Sequence, residues 1–143
     1  MTDKTGKPWM AAGETDDPNA VIESYEADGD VAKGVPVYLT SDGKAKQGNG
    51  SYNAIGITVK AASSGEQCAV LQRGRVKVVA DGAFNAAGCA VRSAGNTKVT
   101  ELFDQDVNEA GAATFTIYYN RKLGTALQKA DADGDLVFIN VER

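Results

Sequence analysis

The chain has 143 residues, 43% of them hydrophobic and 24% charged, which describes one globular domain able to bury about 70% of its unfolded surface. Its sixteen glycines cluster with Ala, Ser, Asn and Asp, a composition of tight turns joining short strands that predicts an all-β fold. The formal charge of −4 is concentrated at the start: residues 1–30 hold eight acidic and two basic side chains, whereas residues 31–143 hold eleven and thirteen. So acidic a leader lacks the basic footprint that nucleic acid or an anionic membrane requires.

In chain order, residues 1–20 mix Gly, Pro, Asp, Thr and Lys without helical or strand periodicity, and read as a flexible N-terminal arm. No secretory leader is recognised there, and no apolar run approaches the ~20 residues needed to span a bilayer. The chain is therefore expected to fold in a reducing cytoplasm. Pro8-Trp9-Met10 interrupts the polar arm with the sole Trp of the chain. Such a residue either tucks back onto the body or anchors a partner, so Pro8, Trp9 and Met10 are the candidate contact residues.

The body, 21–143, reads as short apolar runs bounded by turn residues. Strands are predicted near Ala20–Tyr25, Val35–Thr40, Ile55–Lys60, Gln67–Leu71, Arg75–Ala80, Cys89–Arg92, Lys98–Leu102, Thr114–Tyr119 and Leu136–Val141. Alternation is clean in Arg75-Val76-Lys77-Val78 and in Thr114-Phe115-Thr116-Ile117. One short helix is expected to open at Thr100, as N-cap of Thr100–Val107.

A short pattern occurs twice. Ile55-Gly56-Ile57 leads through Ala62 to a turn closed by Gly65-Glu66 and an alternating strand; Leu123-Gly124-Thr125 leads through Ala130 to Gly134-Asp135 and another. Upstream, Ala32-Lys33-Gly34-Val35-Pro36-Val37 matches Ala86-Ala87-Gly88-Cys89-Ala90-Val91. This is the grammar of strand, turn and strand, and it divides the body into halves of about 32–80 and 86–141. Two copies are too few for a solenoid, so the duplication belongs within one barrel or sandwich.

Nothing in the sequence suggests a catalyst. There is no His, hence neither the commonest general base nor the commonest transition-metal ligand. Cys68 and Cys89 lack zinc-site spacing; they read as small buried thiols, with a single disulfide as the alternative. Asp131, Asp133, Asp135 and Glu142 take four places of a calcium-loop template, but Leu136 stands where that loop needs Gly. Lys60 lacks the neighbours of a lysine-carrying swivel domain. No enzyme activity, cofactor or metal is expected.

The stretches Gly34–Lys44, Asn53–Ala62 and Arg73–Lys77 resemble the head-decoration, or capsid-cement, proteins of tailed bacteriophages. The order is the same: a Pro-led apolar strand, a polar hairpin, an Ala-x-Gly-apolar strand and a Gly-containing strand. Leu123–Leu127 with Gly134–Val137 is similar to the close of the related cement family. The resemblance implies a barrel-like β body that forms homotrimers at three-fold positions on the outer surface of the expanded head. It further implies the major capsid protein as partner and an arm that orders against the shell. The alternative reading is a β-rich adhesion module of a virion surface, binding carbohydrate or receptor.

Overall fold

The computed structural model describes residues 2–48, 53–95, 97–102 and 122–142, and the backbone of two further strands at 105–109 and 112–116. Among the described residues there are eleven strands and no helix: β1 Val21–Glu26, β2 Pro36–Leu39, β3 Ala45–Gln47, β4 Gly56–Thr58, β5 Gln67–Val79, β6 Ala90–Ala94, β7 Lys98–Glu101, β8 Gln105–Glu109, β9 Ala112–Thr116, β10 Gly124–Ala126 and β11 Leu136–Glu142. The domain is all-β. Nine strands form one antiparallel sheet in the order β3-β2-β4-β5-β11-β10-β6-β7, with β1 also on β5; β8 and β9 pair separately.

Three expectations need correction. Thr100 does not cap a helix: it lies in β7 opposite Arg92, and Gln105–Glu109 pairs with Ala112–Thr116. The cap-like signal is local, whereas the half-buried, buried alternation from Lys98 to Glu101 is a strand period imposed by pairing. Gln67–Leu71 and Arg75–Ala80 are not two strands but one, Gln67–Val79, which runs unbroken through Gly74 at a φ of 124° that glycine accepts. Nor does the sheet close into a barrel. The residue after β1, Ala27, reaches β3 by a single bridge to Ala45, and the residue after β5, Ala80, reaches β7 by a single bridge to Val99. A single bridge on either side leaves each curved half open. The predicted strand 114–119 is described only as far as Thr116; Ile117, Tyr118 and Tyr119 lie outside the described residues.

The two copies of the sequence pattern have the same hydrogen bonds. Ala27 N–H donates to Glu66 O and Ala80 N–H to Asp135 O, both at 2.8 Å. Val31 N–H donates to Ala62 O as Phe84 N–H does to Ala130 O; Gly34 to Thr58 as Gly88 to Ala126; Ile55 to Val37 as Leu123 to Val91. Side chains repeat as well. Gln47 accepts from Ala32 N–H at 3.2 Å, as Glu101 does from Asn85 N–H. The acid of each Gly-acid pair closes its own turn: Glu66 accepts from Ser63 N–H at 2.7 Å and Asp135 from Ala132 N–H at 3.1 Å.

The repeat reaches further back than the sequence pattern. Ile22, Glu23, Ser24, Tyr25 and Glu26 of β1 face Leu71, Val70, Ala69, Cys68 and Gln67; Arg75 to Val79 of β5 face Asn140 to Leu136 in the same order. The first half of β5 thus closes one unit and its second half opens the next, with the role that β1 has in the first.

Equivalent positions of the two units are buried, although Ala54, Ile57 and Leu71 of the first pack into the larger cluster with the second. Ala27, Val31, Val37, Ala45, Ala62, Cys68 and Val70 pack together in the first; Ala80, Phe84, Val91, Val99, Ala130, Val137 and Ile139 hold the equivalent places in the second. Gly56 and Gly124 explain the apolar-Gly signature. A Cβ at Gly56 would collide with the carbonyl oxygen of Leu71, and one at Gly124 with that of Asn140. Strand β4 and strand β10 must both pass directly against a neighbouring backbone.

Candidate contact surface around Trp9

Residues 2–17 do not stand away from the body. They lie along β5 and β11, so the segment that reads as a flexible arm is a strap in the structure. Asp3 bridges Leu136 in parallel, with Lys4 N–H donating to Leu136 O and Leu136 N–H to Thr2 O, each at 2.8 Å. Further on, Gly13 N–H donates to Lys77 O at 2.7 Å and Lys77 N–H to Glu14 O at 3.1 Å. Composition conveys a lack of periodicity, but not the unpaired backbone that β5 and β11 offer to such a segment.

The pivot is Lys77, fully buried although its neighbours in sequence make it an outward residue of an alternating strand. Its ammonium donates to Lys7 O at 2.9 Å, to Met10 O at 2.7 Å and to the Asp3 carboxylate. All three hydrogens of the charge have acceptors, which is the condition for burying it. Burial pushes the Asp3 carboxyl up, but the hydrogen bonds from Lys77 and Thr5 outweigh it and hold the group below its usual range.

Lys77 thereby grips both ends of one tight turn. Met10 N–H donates to Lys7 O at 3.1 Å, closing a turn with Pro8 second and Trp9 third. Pro8 presets the backbone torsion that its place demands. Met10 turns inward and is buried, while Pro8 is exposed and Trp9 stands out with 75% of its surface accessible. Of the two readings of the Trp, the structure presents it rather than tucking it in. Beside it, Trp9, Met10, Glu14, Thr15, Asp16 and Val59 line an open cleft of about 440 Å³.

The rim is held by charge. Asp16 accepts from Arg75 at 2.7 and 2.9 Å and pairs with Lys7. Lys7 first, and then Arg75, bring its carboxyl from 3.8 down to about 2. Both cations also lie over the buried Phe138 ring, at 5.9 and 5.7 Å from its centre. Lys4 and Asp131 form a second clasp at 2.5 Å.

Other residues singled out in the sequence are engaged within the chain. Asp131 pairs with Lys4 and Lys129, Asp133 with Lys98, and Asp135 closes its turn, so the calcium-loop carboxylates do not converge. No group of three or more His, Cys, Asp or Glu fit to hold a metal occurs among the described residues. Cys68 and Cys89 are both free thiols, and burial raises the pKa of each. No helix among the described residues is long and apolar enough to cross a membrane. Sequence reading missed Lys77, because the alternation that marks its strand also marks it as solvated.

No protein-family model matches the chain, and no curated protein matches it. Among solved structures it is similar to the N base of the head fiber gp8.5 of bacteriophage phi29, with a TM-score of 0.54 and 16% identity. The likeness is one of fold. It extends over 86% of this chain and 94% of the other, so it takes in both units of the duplication.

Proposed function

We propose that the protein is a structural component of a tailed-phage virion that sits on the outer surface of the head and cements the expanded shell. The observation that carries this is the fold shared with a phage head-fiber base over nearly its whole length, joined to the decoration-protein resemblance of Gly34–Lys77. A presented aromatic on a rigid turn supports the same reading. Trp is the residue most favoured as an interface anchor, and the Lys77 clamp removes the ordering cost that a loose arm would incur on docking.

Trp9, with Pro8 beside it, is the contact point with the major capsid protein; Met10 anchors the turn from within. The protein binds as a homotrimer at three-fold positions, and it acts by linkage rather than chemistry, with no catalysis and no cofactor. A ligand that binds only the expanded lattice stabilises it by about 2.7 kcal/mol per site at a hundredfold excess over Kd. The likeness to a fiber base also favours a second reading, a mount or adhesion module that carries receptor or carbohydrate binding away from the shell.

Co-sedimentation with undecorated expanded heads and with compact procapsids tests the first reading. Saturable binding to expanded heads alone is expected, and Trp9→Ala is expected to weaken it at least tenfold while shifting stability by less than about 0.5 kcal/mol. Absence of binding to either particle would sink the cement reading; a glycan array then tests the adhesion module.

A further inference from the structure

The duplication gives the outer edge of β1 a counterpart whose state can be read directly. On the second half of β5 the outward backbone groups belong to Arg75 and Lys77, and the strap satisfies all four. Lys77 exchanges bonds with Gly13 and Glu14; Arg75 N–H donates to the Asp17 carboxylate at 3.1 Å, and Arg75 O accepts from the Thr15 hydroxyl. The register makes Ile22 and Ser24 the equivalents of Arg75 and Lys77. No described residue bonds the outward N–H or C=O of Ile22 or Ser24. Val21 and Ile22 are 43% and 46% exposed, a large apolar pair on an unpaired edge.

We infer that the β1 edge is a docking site for an extended segment of another protein, apolar on the face of Ile22 and carrying Lys or Arg on the alternate face beside Glu23. Charge selects that occupant. β1 holds two carboxylates and no cation; Glu26 pairs with Lys44 at 3.3 Å, whereas Glu23 has no partner among the described residues. The acidic strap is matched to Lys77 and Arg75 and finds Ser24 and Ile22 in their places here. A second copy of β1 would bring its own unpaired Glu23 and no cation onto the same edge, and like charges across strands destabilise pairing. A basic, apolar strand meets both features, with main-chain bonds giving affinity and alternate side chains giving specificity. The inference concerns a surface separate from Trp9, and it stands whether or not the Trp9 face docks on a head.

The test uses the full chain, isotope-labelled, with a capped six-residue peptide of alternating lysine and valine. Its counterpart has glutamate for lysine. The lysine peptide is expected to shift and protect the amides of Ile22 and Ser24, and the glutamate peptide to bind at least tenfold more weakly. Ser24→Pro removes an outward N–H without touching the β1–β5 ladder, and is expected to abolish the protection at Ile22. Ser24→Lys, which puts at this place the residue its counterpart already holds, keeps the test open if the proline variant does not fold; it should repel the lysine peptide at least tenfold. Shifts confined to residues away from β1, equal binding of the two peptides, or unchanged binding to both variants would overturn the inference. So would a dimer of the chain that Ser24→Pro abolishes, since the occupant would then be a second copy.

Discussion

The two units of this protein share a backbone and differ in what covers them. In the second, Phe84, Val99 and Val137 fill places that Val31, Ala45 and Cys68 hold in the first, and residues 2–17 strap its outer strand. The first unit has a smaller core, and its outer strand β1 is exposed at every residue except the half-buried Tyr25. Identical hydrogen bonds therefore do not make the units equally stable. Buried apolar volume separates them, and so does a strap that hydrogen-bonds the outer strand of the second alone, touching the first only through contacts such as Glu14 with Lys33 at 3.2 Å.

The sharpest way to break the comparison is to empty the larger core. Phe84→Ala is expected to cost about 4 kcal/mol and its counterpart Val31→Ala about 2 kcal/mol, by urea unfolding, because the cavities differ in size. Equal costs would show that the two cores do not differ in weight.

Gly56→Ala and Gly124→Ala probe what the units share. Each adds a methyl where a backbone carbonyl already sits, and each is expected to cost about 3 kcal/mol. A clear difference between them would mean that one crossing relaxes and the other does not.

Lys77→Met addresses the strap alone. Losing charged hydrogen bonds to Asp3 and two carbonyls is expected to cost about 2 kcal/mol. Hydrogen exchange at Lys4 and Gly13 should quicken, while the β1–β5 amides stay as they were. If the β1 amides quicken as well, the strap supports both units.

The smallest effect is that of acid. Asp16 titrates at about 2 instead of 3.8, a depressed value, so its contribution is complete above the ordinary carboxylate range and is lost as pH falls through about 2. Asp3 and Asp17 are shifted in the same direction, Asp17 by backbone hydrogen bonds from Asn19 and then Arg75. A carboxyl-carbon NMR titration should place the Asp16 midpoint near 2 and move it towards 3.8 in Lys7→Ala. Strap release in the same acid window, with β1 unaffected, would confirm that these carboxylates serve one unit.

Much of this architecture is legible in the residues. Turn glycines, alternating runs and the doubled Gly-acid grammar mark most strands and the all-β class, because those signals are local: a positive φ at Gly65 or Gly134, or a period of two, depends on a few neighbouring residues. The short strands β3 and β8 escape notice, and β10 shows only through the doubled pattern, since three to five mixed residues become a strand only when a partner is in register.

The contact surface was legible in part. Pro8-Trp9-Met10 stands out by composition, and the sequence alone leaves open whether the Trp is buried or shown. Only tertiary structure decides that, because the answer lies in Lys77, nearly seventy positions away, whose ammonium finds the two carbonyls at the ends of the Trp9 turn. The strap, the open sheet and the bare edge of β1 are likewise tertiary outcomes. Each depends on which backbone groups meet across long sequence separations, and local propensity does not encode such meetings.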